Sequence, residues 1–176
     1  MTVKQIFLVP MAAILLLTIA PAYAAKQGTV QAIIPWEGEG RVFQVATKTI
    51  MFLGSLKGIM YIENAKGEMH EALVVCPIKQ EINLETGSTE AIGRCEITAG
   101  PDSVAYAKLS CTGRPGECAG EFTLVDGEGE FTGITGSGKL SVRSPIRTLI
   151  ADMPTGALLR VASGLAVVKD LKFSIP

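Results

Sequence analysis

The hydrophobic residues of the chain fall into short runs rich in Val, Ile, Thr, Phe and Tyr, broken at frequent intervals by glycine and proline. Runs of that length and composition, bounded by turn-forming residues, are a strand signature. An amphipathic helix would instead repeat its apolar residues at three and four over a longer window, and no window does so behind a capping box. The candidate strands are 27–34, 41–47, 50–58, 59–63, 71–83, 90–99, 104–112, 119–126, 138–143, 148–152 and 157–173, the last with a break expected near Gly164. Some of these are expected to merge or drop out. Alternation is imperfect in Val104–Cys111 and cleaner toward the end of Leu165–Phe173. The links between runs are too short for parallel crossovers, so antiparallel meander connections are expected. A sandwich of the same strands would leave sheet edges, and the strands lack the charged or proline-blunted positions that guard an open edge. The expected fold class is therefore all-β, an antiparallel up-and-down barrel of about eight strands.

The first 24 residues read differently from the rest. Lys4 precedes an apolar run from Ile6 to Ala20, interrupted by Pro10 and Thr18, and Pro21-Ala22-Tyr23-Ala24 follows with the small-x-small pattern of a cleavage site. This predicts a signal peptide over 1–24, one β-barrel domain over 25–176, and an exported protein, periplasmic or secreted. No cysteine stands at the junction, so no lipid-anchored form is expected. Removing 24 of the 176 residues leaves 152, enough for one domain with a real core. The later stretch Leu149–Val168 is broken by Asp152, Pro154 and Arg160, so no membrane span is expected after cleavage. Without Lys4 the remainder carries 15 basic against 17 acidic side chains. That balance gives no electrostatic footprint for nucleic acid.

All four cysteines lie beyond the signal segment, and an even number in an exported chain predicts two disulfides. A directly opposed antiparallel pair is symmetric about its turn. The midpoint of Cys76 and Cys95 falls inside Leu84-Glu-Thr-Gly87, and that of Cys111 and Cys118 inside Gly113-Arg-Pro-Gly116. Both pairings, Cys76–Cys95 and Cys111–Cys118, are thus expected as staples across hairpins. Metal ligation is the competing use of cysteine, but there is no C-x-x-C pair and a single histidine, and no metal or other cofactor is expected.

The stretch Gly133-Ile-Thr-Gly-Ser-Gly-Lys-Leu140 comes within one residue of a phosphate-cradling loop. That loop needs a final Ser or Thr for magnesium and a helix behind it, whereas Leu140-Ser-Val-Arg-Ser144 reads as a short strand. No nucleotide is expected. Gly127, Gly129, Gly133, Gly136 and Gly138 are instead expected to permit a compact corner, with Phe131 and Ile134 folded inward to plug one end of the barrel.

The run G-x-G-x-F-x-G-I-T-G-x-G, from Gly127 to Gly138, resembles the signature segment of bacterial secreted proteins of the allene oxide cyclase and dirigent-like barrel group. The earlier F-x-G-x-L-x-G, from Phe52 to Gly58, is similar to a second element of related barrels. The resemblance implies an eight-stranded antiparallel barrel with an apolar interior. Members of that group include cyclases of an unsaturated epoxide, proteins that steer radical coupling, and many of no known activity. The cyclase catalytic residues match no positions here, so no catalytic residue carries over. The four cysteines depart from the plant members and suggest an exported bacterial branch.

Other chemistry is sparse. His70, between Glu68 and Glu71, has the makings of a general base but reads as a solvated hairpin tip, and no nucleophile-elbow or S-x-x-K motif occurs. Trp36 beside Glu37 and Glu39 is the candidate mouth of a pocket whose apolar body would come from Phe43, Phe52, Tyr61 and Tyr106. The expected function is binding of a small apolar ligand within the barrel, or a structural role in the envelope, without catalysis. The alternative is an isomerase or cyclase folding a lipid-like substrate in the same cavity, with Glu37, Glu39 or Tyr61 as its buried polar group. Which residues face inward depends on register, since a slip of one residue inverts every assignment. The sequence leaves the oligomeric state open.

Overall fold

A computed structural model describes residues 25–145 and 154–176. Eight strands follow one another: β1 (Lys26–Ala46), β2 (Thr49–Asn64), β3 (Met69–Asn83), β4 (Thr89–Gly100), β5 (Ser103–Arg114), β6 (Glu117–Glu128), β7 (Thr135–Arg143) and β8 (Leu158–Ile175). Each pairs antiparallel with the next, and β8 returns to β1, so the sheet closes as an up-and-down barrel with no free edge. The signal segment 1–24 and the candidate strand 148–152 lie outside the described residues.

Two pairs of expected strands merge. Runs 27–34 and 41–47 join through Trp36-Glu-Gly-Glu-Gly40 into β1, and runs 50–58 and 59–63 join through Gly58 into β2. The glycines that resemble punctuation in the sequence are strand residues whose missing side chains make room. Trp36 stands in register with Gly58 on β2 and with Gly164 on β8. A Cβ on Gly164 would come within 2.5 Å of the Trp36 indole, and one on Gly40 within 2.6 Å of the Phe52 ring. The break expected near Gly164 is therefore absent. The irregularities of β8 fall on either side of Gly164: the register against β1 shifts between Leu159 and Ala162, and again between Val168 and Leu171, where Asp170 has φ 51° and the buried set changes phase from Ala162, Ala166 and Val168 to Leu171.

Alternate residues of each strand fill the interior. At one end of the barrel, which carries the β2–β3, β4–β5 and β6–β7 connections, large side chains occupy the lumen: Met60, Ile97, Phe122, Leu124 and Leu171 are all buried. The Gly127–Gly138 segment closes that end. A 3-10 turn, Gly129–Phe131, leads across to Ile134, which is buried in the core, while Phe131 packs half-buried beside it. Gly129 has φ 63° with the Asp102 carbonyl against its α-carbon, a position no side chain could share. Gly136 and Gly138 are then strand residues of β7, Gly136 opposite Leu124 on β6 and Phe173 on β8, and Gly138 opposite Phe122 on β6 where the β7–β8 register shifts. No helix follows, so the stretch lacks the helix N-terminus on which a phosphate loop depends.

Both disulfides form, Cys76–Cys95 across β3–β4 and Cys111–Cys118 across β5–β6. The first joins directly opposed positions, as the flanking pairs Val75–Glu96 and Ile78–Gly93 require, with Cα atoms 4.1 Å apart. The second corrects the expected register. The β5–β6 hairpin turns on Pro115-Gly116, with Gly116 at φ 88°, so Cys111 faces Gly120 and Cys118 faces Gly113. The bridge runs diagonally between offset positions, with Cα atoms 5.5 Å apart, and a glycine opposite each cysteine leaves it room.

Outward positions carry charge at mid-strand, with Arg94 opposite Lys108 and Glu121 opposite Lys139. Large apolar side chains, among them Ile33, Leu53, Ile59, Leu73 and Ile92, are exposed on the same outer wall. Among the described residues no helix is long and apolar enough to cross a membrane.

Candidate functional site

The buried residues divide into two clusters. The larger fills the closed end and the middle of the barrel; the smaller, Val42, Ile50, Phe52, Ile82 and Ala162, lies toward the other end. Trp36 and Ile78 pack against both, and between the clusters there is a cavity of about 160 Å³. Its wall is almost wholly apolar: Ile34, Phe52, Ile78, Leu109, Val142 and Ala166 line it with Trp36. Small side chains are the reason that space remains, since Ala91, Ala162 and Ala166 stand where larger residues would meet across the lumen. The cavity extends to the end of the barrel that bears the β1–β2, β3–β4 and β5–β6 hairpins, where Leu84, Pro115 and Gly116 line it. Both disulfides contribute to its wall through Cys76, Cys111 and Cys118.

Polar groups in the wall are few. The Trp36 indole Nε1 is buried and has no hydrogen-bond partner among the described residues. Gln80 lines the cavity and donates from Nε2 to Thr89 Oγ1 at 2.9 Å, and Thr89 in turn donates to the Glu81 carbonyl at 3.0 Å. Toward the rim, Glu117 pairs with Arg143, the Gly116 carbonyl accepts from the Ser144 N–H, and Ser144 Oγ donates to the Ser163 carbonyl.

Of the seven residues expected to form a pocket, the cavity wall includes Trp36 and Phe52. The other five are placed elsewhere. Glu37, Glu39 and Phe43 occupy odd positions of β1, whose even positions Ala32, Ile34, Trp36 and Val42 point inward. The two glutamates are exposed and Phe43 is half-buried on the outer wall. Tyr61 is exposed on the outside of β2, next to inward-facing Met60. Tyr106 lies outside β5 and donates a 2.8 Å hydrogen bond to Glu128 Oε1, which raises its pKa above that of a free tyrosine. Period-two alternation sets all five outward, because neighbours in a strand point to opposite faces. His70 is exposed and stands within β3 opposite Ile62, just past the turn rather than at its tip. Among the described residues no group of three or more His, Cys, Asp or Glu side chains is placed to hold a metal.

Gln80 is the residue that sequence reading passes over. It falls in the same alternation phase as Ala72, Val74, Cys76, Ile78 and Ile82, so a polar residue in an apolar series was the signal available.

The fold and the site together define a disulfide-stapled, eight-stranded antiparallel barrel, filled at one end and hollow toward the other. Comparison with protein-family models, with curated proteins and with solved structures returned no match.

Proposed function

We propose that this is an exported protein, periplasmic or secreted, that binds a small apolar molecule in the hollow end of the barrel and does not transform it. The observation that carries the reading is the cavity itself, about 160 Å³ with an apolar wall, in a lumen that is otherwise close-packed. A dry apolar space of roughly 150 Å³ holds one benzene-sized molecule. A longer ligand would extend past Leu84 and Pro115 toward the rim. The buried, unpartnered Trp36 N–H supports the reading, because an unmade hydrogen bond in a low-dielectric wall costs about 1–3 kcal/mol and a ligand acceptor would relieve it. The two disulfides are in keeping with an oxidising compartment. A cyclase or isomerase in the same space would need an ionisable group among the apolar walls. Glu37, Glu39 and Tyr61 all stand outside, and the two ionisable residues that line the cavity, Lys57 and Glu117, are exposed, the latter paired with Arg143, so no observation favours that alternative.

Native mass spectrometry of the protein purified from its own envelope fraction, followed by denaturing extraction, tests the proposal. A stoichiometric apolar adduct is the expected result. An empty barrel that shows no thermal shift against a panel of small lipids and aromatics would replace ligand binding with a structural role.

A further inference from the structure

We infer that the cavity selects a small apolar molecule bearing one hydroxyl group, an alcohol or phenol rather than a plain hydrocarbon, and that Gln80 makes the selection. The inference rests on reading the cavity as a ligand site and adds the chemistry of the ligand.

The argument begins with a single proton. Thr89 is 4% exposed and is the buried polar residue of the described chain. Its hydroxyl carries one hydrogen, which goes to the Glu81 carbonyl. Toward Gln80 the same oxygen can then only accept, so the amide must turn its NH2 to Thr89, as it does at 2.9 Å. That fixes the other half of the amide. Gln80 Oε1 points away from Thr89 and has no protein partner among the described residues. It is a carbonyl acceptor whose orientation is set by a neighbour rather than by chance.

The surroundings of Gln80 turn this acceptor into a recognition element. The residue stands in register between Phe52 on β2 and Ala91 on β4, both of which line the same cavity. Phe52 supplies a flat apolar wall on one side, and the small side chain of Ala91 leaves space on the other. A hydrocarbon filling that space would cover Oε1 without replacing the water it displaces. A hydroxyl on the same skeleton would donate to Oε1 and leave the rest of the molecule against the apolar wall. Sites built to pair with a ligand hydroxyl discriminate strongly against the analogue lacking it, because the site's own polar group is then stranded. A cavity with no such group has the opposite preference, since burying an unpaired hydroxyl is unfavourable. The sign of the preference therefore separates the two cases.

Calorimetric titration of the oxidised protein with 4-methylphenol and with 1,4-dimethylbenzene provides the test, since the two probes share shape and differ in one hydroxyl for one methyl. The phenol is expected to bind at least about tenfold more tightly. In Gln80→Met the preference is expected to shrink at least to what the Trp36 N–H can hold by donating to the phenol oxygen, with the hydrocarbon's affinity unchanged or higher. Thr89→Val, which keeps Gln80 but removes the oxygen that orients it, is expected to shrink the preference without weakening the hydrocarbon. Equal or tighter binding of dimethylbenzene to the unaltered protein would overturn the selection by hydroxyl while leaving the cavity a ligand site. A preference for the phenol that survives undiminished in Gln80→Met would remove Gln80 from the role. Binding of neither probe would bring down the cavity reading and this inference together.

Discussion

Trp36 owes its place to two residues that have no side chain. It lies between Gly58 and Gly164 on the flanking strands, and a Cβ on Gly164 would fall 2.5 Å from the indole and also against the Arg143 carbonyl. Gly164→Ala is therefore an overpacking substitution in a position where neither the ring nor the backbone can retreat. It should lower stability by about 1–3 kcal/mol, read as a drop in the urea midpoint at constant m-value. An unchanged midpoint would mean that the indole is free to move. A second expectation concerns Tyr106, whose hydroxyl donates to Glu128; that bond, then partial desolvation and the charges of Glu128, Glu96 and Asp126, raise its pKa. Because the folded value lies above the unfolded one, the contribution to stability is fully present below about pH 10 and is lost as pH rises through the folded pKa. Ultraviolet titration should show Tyr106 ionising late, and Glu128→Gln should shrink the lag. These side chains also mark what the sequence makes legible. Trp36 and Phe52 are cavity residues because aromatics beside glycines need the room that glycines leave. Glu37, Glu39, Tyr61 and Tyr106 look equally suitable in one dimension, and only the parity of each strand, fixed by closure of the barrel, sends them outward.

The hairpins show how far pattern alone reaches. Turn residues placed β3–β4 and β5–β6 correctly, and the pairing of the four cysteines followed from them. The diagonal geometry of Cys111–Cys118 did not follow, because the Pro115-Gly116 turn shifts the ladder by two positions relative to one centred on the cysteines. Strand limits were harder still, since β1 passes straight through Pro35, Gly38 and Gly40. The glycines there serve cross-strand packing, which depends on neighbours far away in sequence. The two bridges should contribute unequally to stability. Cys76 and Cys95 are 19 residues apart and Cys111 and Cys118 only 7, so on the chain-entropy account replacing each pair by serine should cost about 3.3 and about 2.5 kcal/mol respectively. Denaturant unfolding of the two double variants gives the comparison. If the shorter loop proved much the costlier to lose, its value would lie in holding the cavity wall, to which both of its cysteines belong, rather than in restricting the unfolded chain.

The barrel as a whole is packed from one end only. Met60, Phe122 and Leu171 occupy the lumen beneath the plug made by Phe131 and Ile134, whereas Ala91, Ala162 and Ala166 face an enclosed space toward the opposite end. A barrel whose task was purely mechanical would gain from filling that space, at about 0.8 kcal/mol for each added methylene that finds contacts. Ala162→Leu puts the two possibilities in opposition. Ala162 lines the cavity and belongs to the smaller cluster with Val42 and Phe52, so a leucine there grows into empty volume if the cavity is real. The expected outcome is a protein at least as stable as the original in urea, by up to about 1–2 kcal/mol, whose affinity for small aromatics falls by tenfold or more. Stability and binding would then move in opposite directions, as they do when a fold keeps unfilled volume for a ligand. A leucine that instead destabilised the barrel by about 1–3 kcal/mol would be reporting a lumen already filled, and the protein's work would have to be sought on its outer wall.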